Sequence, residues 1–137
     1  WDVSLLPETA WVVGEDQHDP LADHVDLAPA LARFTFNQAA IHRDLEASSF
    51  GERLVYGGHT QGLAQASLTR LLPGLATVLG WDGCDHLGPV FEGDRLSFRH
   101  ILKEEFSLQD GRILRFETRA SRDGEDVLLW TPIVVAV

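Results

Sequence analysis

The sequence predicts an α+β fold in which an antiparallel β-sheet wraps around one long central helix. The strongest helix signal spans residues 58–72, and the segments after it alternate apolar and polar residues with the period of two that is typical of strands. Asp110-Gly111 and Asp123-Gly124 are hairpin signals in this strand-forming half. One face of such a sheet must be covered, and the helix at 58–72 is the only apolar helix long enough to cover it.

The N-terminal part predicts a short strand, a turn region and a short helix. Trp11-Val12-Val13 has the composition of a strand, and residues 14–20 are acidic and rich in turn formers. Over residues 26–36 the apolar side chains recur at helical spacing, with Asp26 as the expected N-cap and Pro29 in the first turn.

The middle of the chain predicts a loop followed by the central helix. Residues 37–55 show no regular period, so we expect an ordered loop, and loops of this length inside a domain are usually functional. The helix at 58–72 has an apolar stripe and stops at Pro73-Gly74.

The C-terminal half predicts an antiparallel meander. We expect a first strand over residues 75–81 that ends at Asp82-Gly83, then a turn over residues 89–94 and a strand over residues 95–108. Two more strands flank Asp123-Gly124 and keep the period of two. His86 and Asp85 fall near the end of the first strand, and both are expected on the surface.

Composition restricts the function. The 137 residues have the length of one domain, and the formal net charge of −10 argues against nucleic acid or an anionic membrane as a partner, since both require a basic face. No apolar run approaches the ~18 to 20 residues of a membrane span. Cys84 is the only cysteine, which excludes a disulfide framework and fits a reducing, cytoplasmic setting.

Asn37, His42 and the glycine pair Gly57-Gly58 carry the clearest chemical signal. An imidazole transfers protons near neutral pH, and the N-terminus of a helix stabilises an oxygen on which negative charge develops. These are the minimum requirements of thioester enolate chemistry. The sequence contains no nucleophile elbow, P-loop or dinucleotide fingerprint, and His18 and His24 lack metal-ligand spacing, so no metal and no cofactor are expected.

Residues 34–66 resemble the MaoC-like dehydratases, also called the hydratase-2 family, which have the hot-dog fold. His42 falls on the family's histidine, Asp44 on the aspartate that follows it, and Gly58 on the glycine at the start of the helix. Asn37 stands where the family has its catalytic aspartate, and Ala39-Ala40 replaces an Asn-Pro pair. Residues 81–86 and 88–94 also look like the strand and the Pro-x-x-x-Gly-Asp turn of the family.

The resemblance implies an (R)-specific enoyl-thioester hydratase or 3-hydroxyacyl-thioester dehydratase that acts on acyl-CoA or acyl carrier protein. His42 is then the general base and acid, Asn37 orients the water or the imidazole, and Gly58 is the oxyanion donor. The residues expected to contact substrate are Tyr56, Gly57, His59 and Asp44. Arg43, Arg53, Arg99 and Lys103 are the candidate ligands of CoA phosphates.

Asparagine at position 37 leaves the base of the reaction open. His42 acts alone, Asp44 or Glu46 approaches it, or a neighbouring hot-dog domain supplies a carboxylate. Two other functions stay open: a hot-dog acyl-CoA thioesterase and a non-catalytic subunit that binds acyl thioesters.

The resemblance also implies a second hot-dog domain as a partner, because hot-dog sheets pair edge to edge. The chain begins at Trp1 and contains no methionine. We therefore expect residues 1–137 to form one hot-dog domain, either as a subunit of a homodimer or as the C-terminal half of a double hot-dog protein.

Overall fold

An antiparallel sheet of six strands surrounds one long helix in the computed structural model, which describes residues 3, 5–8 and 10–137. The strands are β1 (Asp16–His18), β2 (Asp23–His24), β3 (Leu75–His86), β4 (Arg95–Leu108), β5 (Gly111–Arg122) and β6 (Glu125–Ala136). The helices are α1 (Ala28–Phe34) and α2 (Gly57–Leu71), with 3-10 turns at Ala40–His42 and Leu45–Ala47. The strand order is β1-β4-β5-β6-β3, and β2 pairs with β4 beside β1. The predicted fold class is confirmed.

Helix α2 provides the covering that the sheet requires. Ala64 and Leu68 are fully buried, and α2 contacts each of the four long strands. Ala64 packs in a cluster with Phe98 and Trp130, and Leu68 packs in a second cluster with Phe116. The core therefore lies between α2 and the inner face of the sheet along the length of the helix.

The region of the first predicted strand has a different role. Trp11 is buried, its ring meets Phe116 edge to face at 5.1 Å, and its Nε1–H donates to the carbonyl of Leu71 at 3.1 Å. The strand predicted at Trp11-Val12-Val13 is therefore wrong, because Trp11 closes the C-terminal end of α2. The strand forms instead at β1, where Asp16 pairs with Ile101.

Helix α1 begins later than predicted. Leu27, not Asp26, is the N-cap, with a left-handed φ of 52° and no side-chain capping bond. Val25 is buried, and its N–H donates to the carbonyl of Asp94 at 2.8 Å. The chain is held there against the turn before β4, so it must change direction at Leu27 before a helix can start.

Strand β3 is longer than the sequence indicated. The turn predicted at Asp82-Gly83 is a register shift between Trp81 and Cys84, and the strand continues to His86. Gly83 stays in the sheet as the acceptor of a 3.2 Å hydrogen bond from Thr131. Pairing with β6 thus overrides the local turn signal. The turn at Asp123-Gly124 does form, with φ values of 52° and 86°.

Candidate functional site

A cleft of about 360 Å³ opens at the N-terminus of α2. Its polar wall contains His42, Gly57, Thr60 and His86, and its apolar wall includes Leu54, Phe50 and Val90. The N–H of Val55 donates to the carbonyl of Val90 at 2.8 Å, and Leu54 forms an isolated bridge with Phe91. These bonds join the end of the loop at 37–55 to the turn after β3, and the cleft lies between them.

His42 is oriented by a hydrogen bond from its ring. Its Nδ1 lies 2.9 Å from the carbonyl oxygen of Leu54, which can only accept, so Nδ1 carries the proton in the neutral ring. The free lone pair is then on Nε2, as a general base requires. The ring is half-buried and meets Tyr56 edge to face at 6.1 Å.

Asn37 and Asp44 shape the loop that carries His42. The Asn37 Oδ1 accepts from the N–H of Ala39 at 2.9 Å, and the Ala39 carbonyl in turn accepts from the N–H of His42 at 3.3 Å. The Asp44 Oδ1 accepts from the N–H of Glu46 at 3.0 Å and caps the next 3-10 turn. Neither side chain lines the cleft.

The two glycines at the start of α2 face different ways. Gly57 lines the cleft beside His42, whereas Gly58 lies under the ring of Tyr56 and borders a groove next to Trp81 on the other side. A Cβ on Gly58 would lie 2.5 Å from the Tyr56 hydroxyl oxygen. The first N–H groups of an α-helix have no intrahelical acceptor, and they carry partial positive charge. Gly57 and Gly58 supply the first two of these N–H groups.

His59 lies outside the cleft. It borders a pocket of about 180 Å³ between α1 and α2 with Asp26, Leu31 and Phe34. Burial lowers the pKa of His59 from its usual value, and the nearby Asp26 carboxylate opposes this shift. Its Nδ1 is buried without a hydrogen-bond partner in the described part of the chain.

His86 is exposed, as the sequence predicts, but it also lines the cleft, which the sequence does not indicate. It ends β3 with an exposed side chain, and its ring packs against Gly57, where a Cβ would lie 2.5 Å from Nε2. His42 and His86 are the only ionisable side chains among the described residues of the cleft wall. No local signal marks His86, because its position depends on β3 continuing past Asp82-Gly83 and on the turn at Pro89.

A second polar cluster, buried except for Arg70 at its margin, lies under α2. The Ser67 hydroxyl donates to Asp19 at 2.6 Å and lies 2.9 Å from His100 Nε2, and His100 Nδ1 lies 2.9 Å from the Thr118 hydroxyl. Arg70 also donates to Asp19, at 2.6 Å. Both ring nitrogens of His100 have hydrogen-bond partners, one on α2 and one on β5. The cluster therefore connects α2 to β4 and β5.

Over the described ranges, no three His, Cys, Asp or Glu side chains lie together as a metal site requires. No described helix is long and apolar enough to cross a membrane.

Comparisons with known proteins place this geometry in context. No family model and no curated protein matches the sequence. Among solved structures, Rv0216 from Mycobacterium tuberculosis, which has a double hot-dog fold, is 44% identical with a TM-score of 0.81, over 92% of this chain and 39% of that protein. A Chloroflexus aurantiacus protein assigned to the MaoC domain dehydratases is 22% identical with a TM-score of 0.86, over 92% of this chain and 43% of that one. The chain thus spans less than half the length of both proteins.

A single-domain match supports the same assignment of fold. The MaoC-like dehydratase from Rhodospirillum rubrum is 25% identical with a TM-score of 0.73, and the alignment covers 92% of each chain. Other neighbours of this fold include (R)-hydratases. The chain is a hot-dog domain whose structural neighbours are MaoC-like dehydratases and (R)-hydratases.

Proposed function

We propose that this domain belongs to an (R)-specific enoyl-thioester hydratase, or 3-hydroxyacyl-thioester dehydratase, that acts on acyl-CoA or acyl carrier protein. The observation that carries the proposal is the cleft itself. It holds His42, whose free ring nitrogen is Nε2, beside the N-terminus of α2 at Gly57. The dehydratases and hydratases among the structural neighbours support the same reaction class.

The reaction requires a base and a site for the enolate oxygen. In hydration, a base takes a proton from water as the water oxygen bonds to Cβ, and the electron pair of the double bond moves towards the thioester oxygen. His42 is that base, and the first-turn N–H groups of Gly57 and Gly58 stabilise the enolate oxygen. A proton delivered to Cα completes the addition. Dehydration is the reverse of these steps.

The remaining predicted site residues take supporting roles. Tyr56 packs against the ring of His42 and over Gly58, so it orients both the base and the N-terminus of α2. Asn37 and Asp44 hold the turns on either side of His42 and act as positioning residues. His59 borders the neighbouring pocket, where an acyl chain is the ligand that its apolar wall would accept.

The four candidate phosphate ligands differ in whether a carboxylate already pairs with them. Arg53, Arg99 and Lys103 form ion pairs with Glu92, Asp16 and Glu117, respectively. Arg43 donates to the carbonyl of Gln38 at 2.8 Å and lies one residue after His42. Arg43 is therefore the candidate best placed to reach a phosphate at the mouth of the cleft.

A second hot-dog domain belongs to the proposal. Strand β3 is one edge of the described sheet and carries Leu79 and Trp81, which are 57% and 52% exposed. A long apolar edge strand is a surface that a second sheet would cover. The partner is a second copy of this domain or another domain of a longer protein, and a cytoplasmic setting fits CoA thioesters and a free Cys84.

Incubation with crotonyl-CoA tests the function. A hydratase removes the enoyl absorbance without releasing thiol, a thioesterase releases thiol, and a binding subunit does neither. We expect the first result, and we expect His42→Ala to reduce kcat by ~10²–10⁴-fold, as for the loss of a general base. An unchanged rate in His42→Ala would contradict the assignment of the base, and thiol release by the unaltered protein would contradict the reaction.

A further inference from the structure

We propose that His86 is a second acid–base residue of the cleft and takes the place of the carboxylate that is missing at Asn37. This inference rests on the proposed hydratase function, because it assigns a role within the same reaction. It concerns a residue that lies 44 positions after His42 and on a different element.

The composition of the cleft points to His86. Addition of water needs one group that takes a proton and one that gives a proton. Asn37 cannot do either at neutral pH, and its Oδ1 is bonded to the N–H of Ala39 outside the cleft wall. Among the described residues of that wall, His42 and His86 are the only two with side chains that can both take and give a proton in acid–base catalysis.

Gly57 leaves the space that the His86 ring occupies. A Cβ at this position would lie 2.5 Å from Nε2 and 2.7 Å from Cε1 of His86, closer than real Cβ atoms approach. The backbone itself does not require glycine there, because Gly57 is not among the residues with a positive φ. What the glycine provides is space, and His86 occupies that space at the helix N-terminus.

The surroundings of His86 contain few other charges. His42 lines the same cleft, Gly57 at the N-terminus of α2 lies against the ring, and Asp85 precedes His86 on β3, where successive side chains point to opposite faces. On β6, the residue paired with His86 is the apolar Leu128. His42 is thus the ionisable partner that shares the substrate space.

The two histidines divide the proton transfers of hydration. His42 Nε2 takes a proton from the attacking water while the O–Cβ bond forms and the π pair moves into the enolate. Protonated His86 gives its proton to Cα as the enolate collapses to the thioester. His42 ends with one proton more and His86 with one fewer, and exchange with solvent restores both, so the reaction needs no other reactant.

The test uses His86→Gln in the full-length protein, with His18→Gln as the matched control. His18 is an exposed histidine on β1. With crotonyl-CoA we expect His86→Gln to lower kcat by ~10²–10⁴-fold and the control to keep the rate of the unaltered protein. The pH–rate profile of His86→Gln should differ in shape from that of the unaltered protein, whereas the control should keep the original profile. Butyryl-CoA, which has no double bond to hydrate, should bind the variant with affinity within a few-fold of the unaltered protein.

Gly57→Ala provides an independent test, because its Cβ displaces the His86 ring while the backbone N–H is kept. We expect it to lower kcat in the unaltered protein and to have little further effect in His86→Gln. Independent losses in the double variant would overturn the link between the two residues.

The outcomes distinguish failure of the proposed hydratase function from failure of the role of His86 alone. If the unaltered protein neither hydrates crotonyl-CoA nor dehydrates 3-hydroxybutyryl-CoA, the proposed function fails, and the role of His86 fails with it. If the protein is active and His86→Gln keeps its kcat, only the role of His86 is overturned. A loss of butyryl-CoA binding in parallel with kcat would also overturn it, because His86 would then hold substrate rather than move protons.

Discussion

Asn37 stands where the MaoC-like dehydratases that the sequence resembles have an aspartate. Its Oδ1 accepts from the N–H of Ala39, and a carboxylate could accept the same hydrogen bond. We therefore expect Asn37→Asp to fold normally and to change kcat/KM with crotonyl-CoA by less than about tenfold, since the side chain does not line the cleft. A gain of 100-fold or more would contradict this expectation and show that an aspartate at position 37 takes part in catalysis. Asn37→Ala is the control: it loses the bond and should cost about 1 kcal/mol of stability.

The buried His100 predicts a pH dependence of the stability of the domain. Burial lowers the pKa of His100 from 6.5 to about 4, with Asp19 opposing the shift and Arg70 and His18 adding to it. Because Ser67 donates to Asp19, its hydroxyl oxygen accepts from His100 Nε2–H, and Nδ1 accepts from Thr118. Both nitrogens of the neutral His100 ring are thus hydrogen-bonded.

The sign of the pH effect follows from these two pKa values. Between pH 6.5 and about 4 the unfolded chain binds the proton and the folded chain does not. The free energy of unfolding should therefore be constant in this respect above pH 7 and fall by roughly 1.4 kcal/mol per unit as the pH drops through that window. Urea unfolding at pH 7, 6 and 5 measures the slope. His100→Gln should be less steep by about that amount, and an equal slope in the two proteins would contradict the assignment.

At the scale of elements, Gly58 and Gly62 lie in the same helix, α2, but have opposite steric surroundings. A Cβ on Gly58 would lie 2.5 Å from the Tyr56 hydroxyl, whereas a Cβ on Gly62 would meet nothing within 4 Å. Gly62→Ala should raise the free energy of unfolding by ~0.5–1 kcal/mol, since alanine is the better helix former. Gly58→Ala should lack this gain and should lower the hydration rate, because Tyr56 and the His42 ring against it must move. Thermal melting and crotonyl-CoA kinetics measure both, and equal gains in stability would contradict the close contact.

The elements also show which parts of the structure local sequence can predict. Helix α2 and strand β4 were predicted within a residue of their observed ends, because Pro73 and the flanking turns are local signals. Strand β1 was missed because it exists only through pairing with residues 99–101 of β4. In the same way, His42 and the start of α2 lie in one cleft as expected, whereas His86 joins them through tertiary contacts that no local pattern records.

At the scale of the whole molecule, the β3 edge of the sheet is the surface where we expect a second domain to pair. Within the described chain, β3 pairs on one side only, with β6, and it carries Leu79 and Trp81, whose side chains are more than half exposed. A strand of 12 residues with this composition is prone to uncontrolled pairing unless a partner covers it. The neighbouring groove beside Gly58 and Trp81 opens on the same side, so a partner sheet would lie close to the start of α2.

Trp81→Lys tests this arrangement in the full-length protein, with Leu108→Lys as the control at the end of β4. Both residues are about half exposed, but Trp81 lies on edge strand β3, whereas Leu108 ends β4, which β5 and β6 separate from β3. If the partner is a second copy, Trp81→Lys should halve the mass measured by analytical ultracentrifugation. If the partner is another domain of the same polypeptide, the mass should stay constant and the urea midpoint should fall. In either case the control should keep both values, and a Trp81→Lys protein with unchanged mass and midpoint would show that the β3 edge is not the pairing surface.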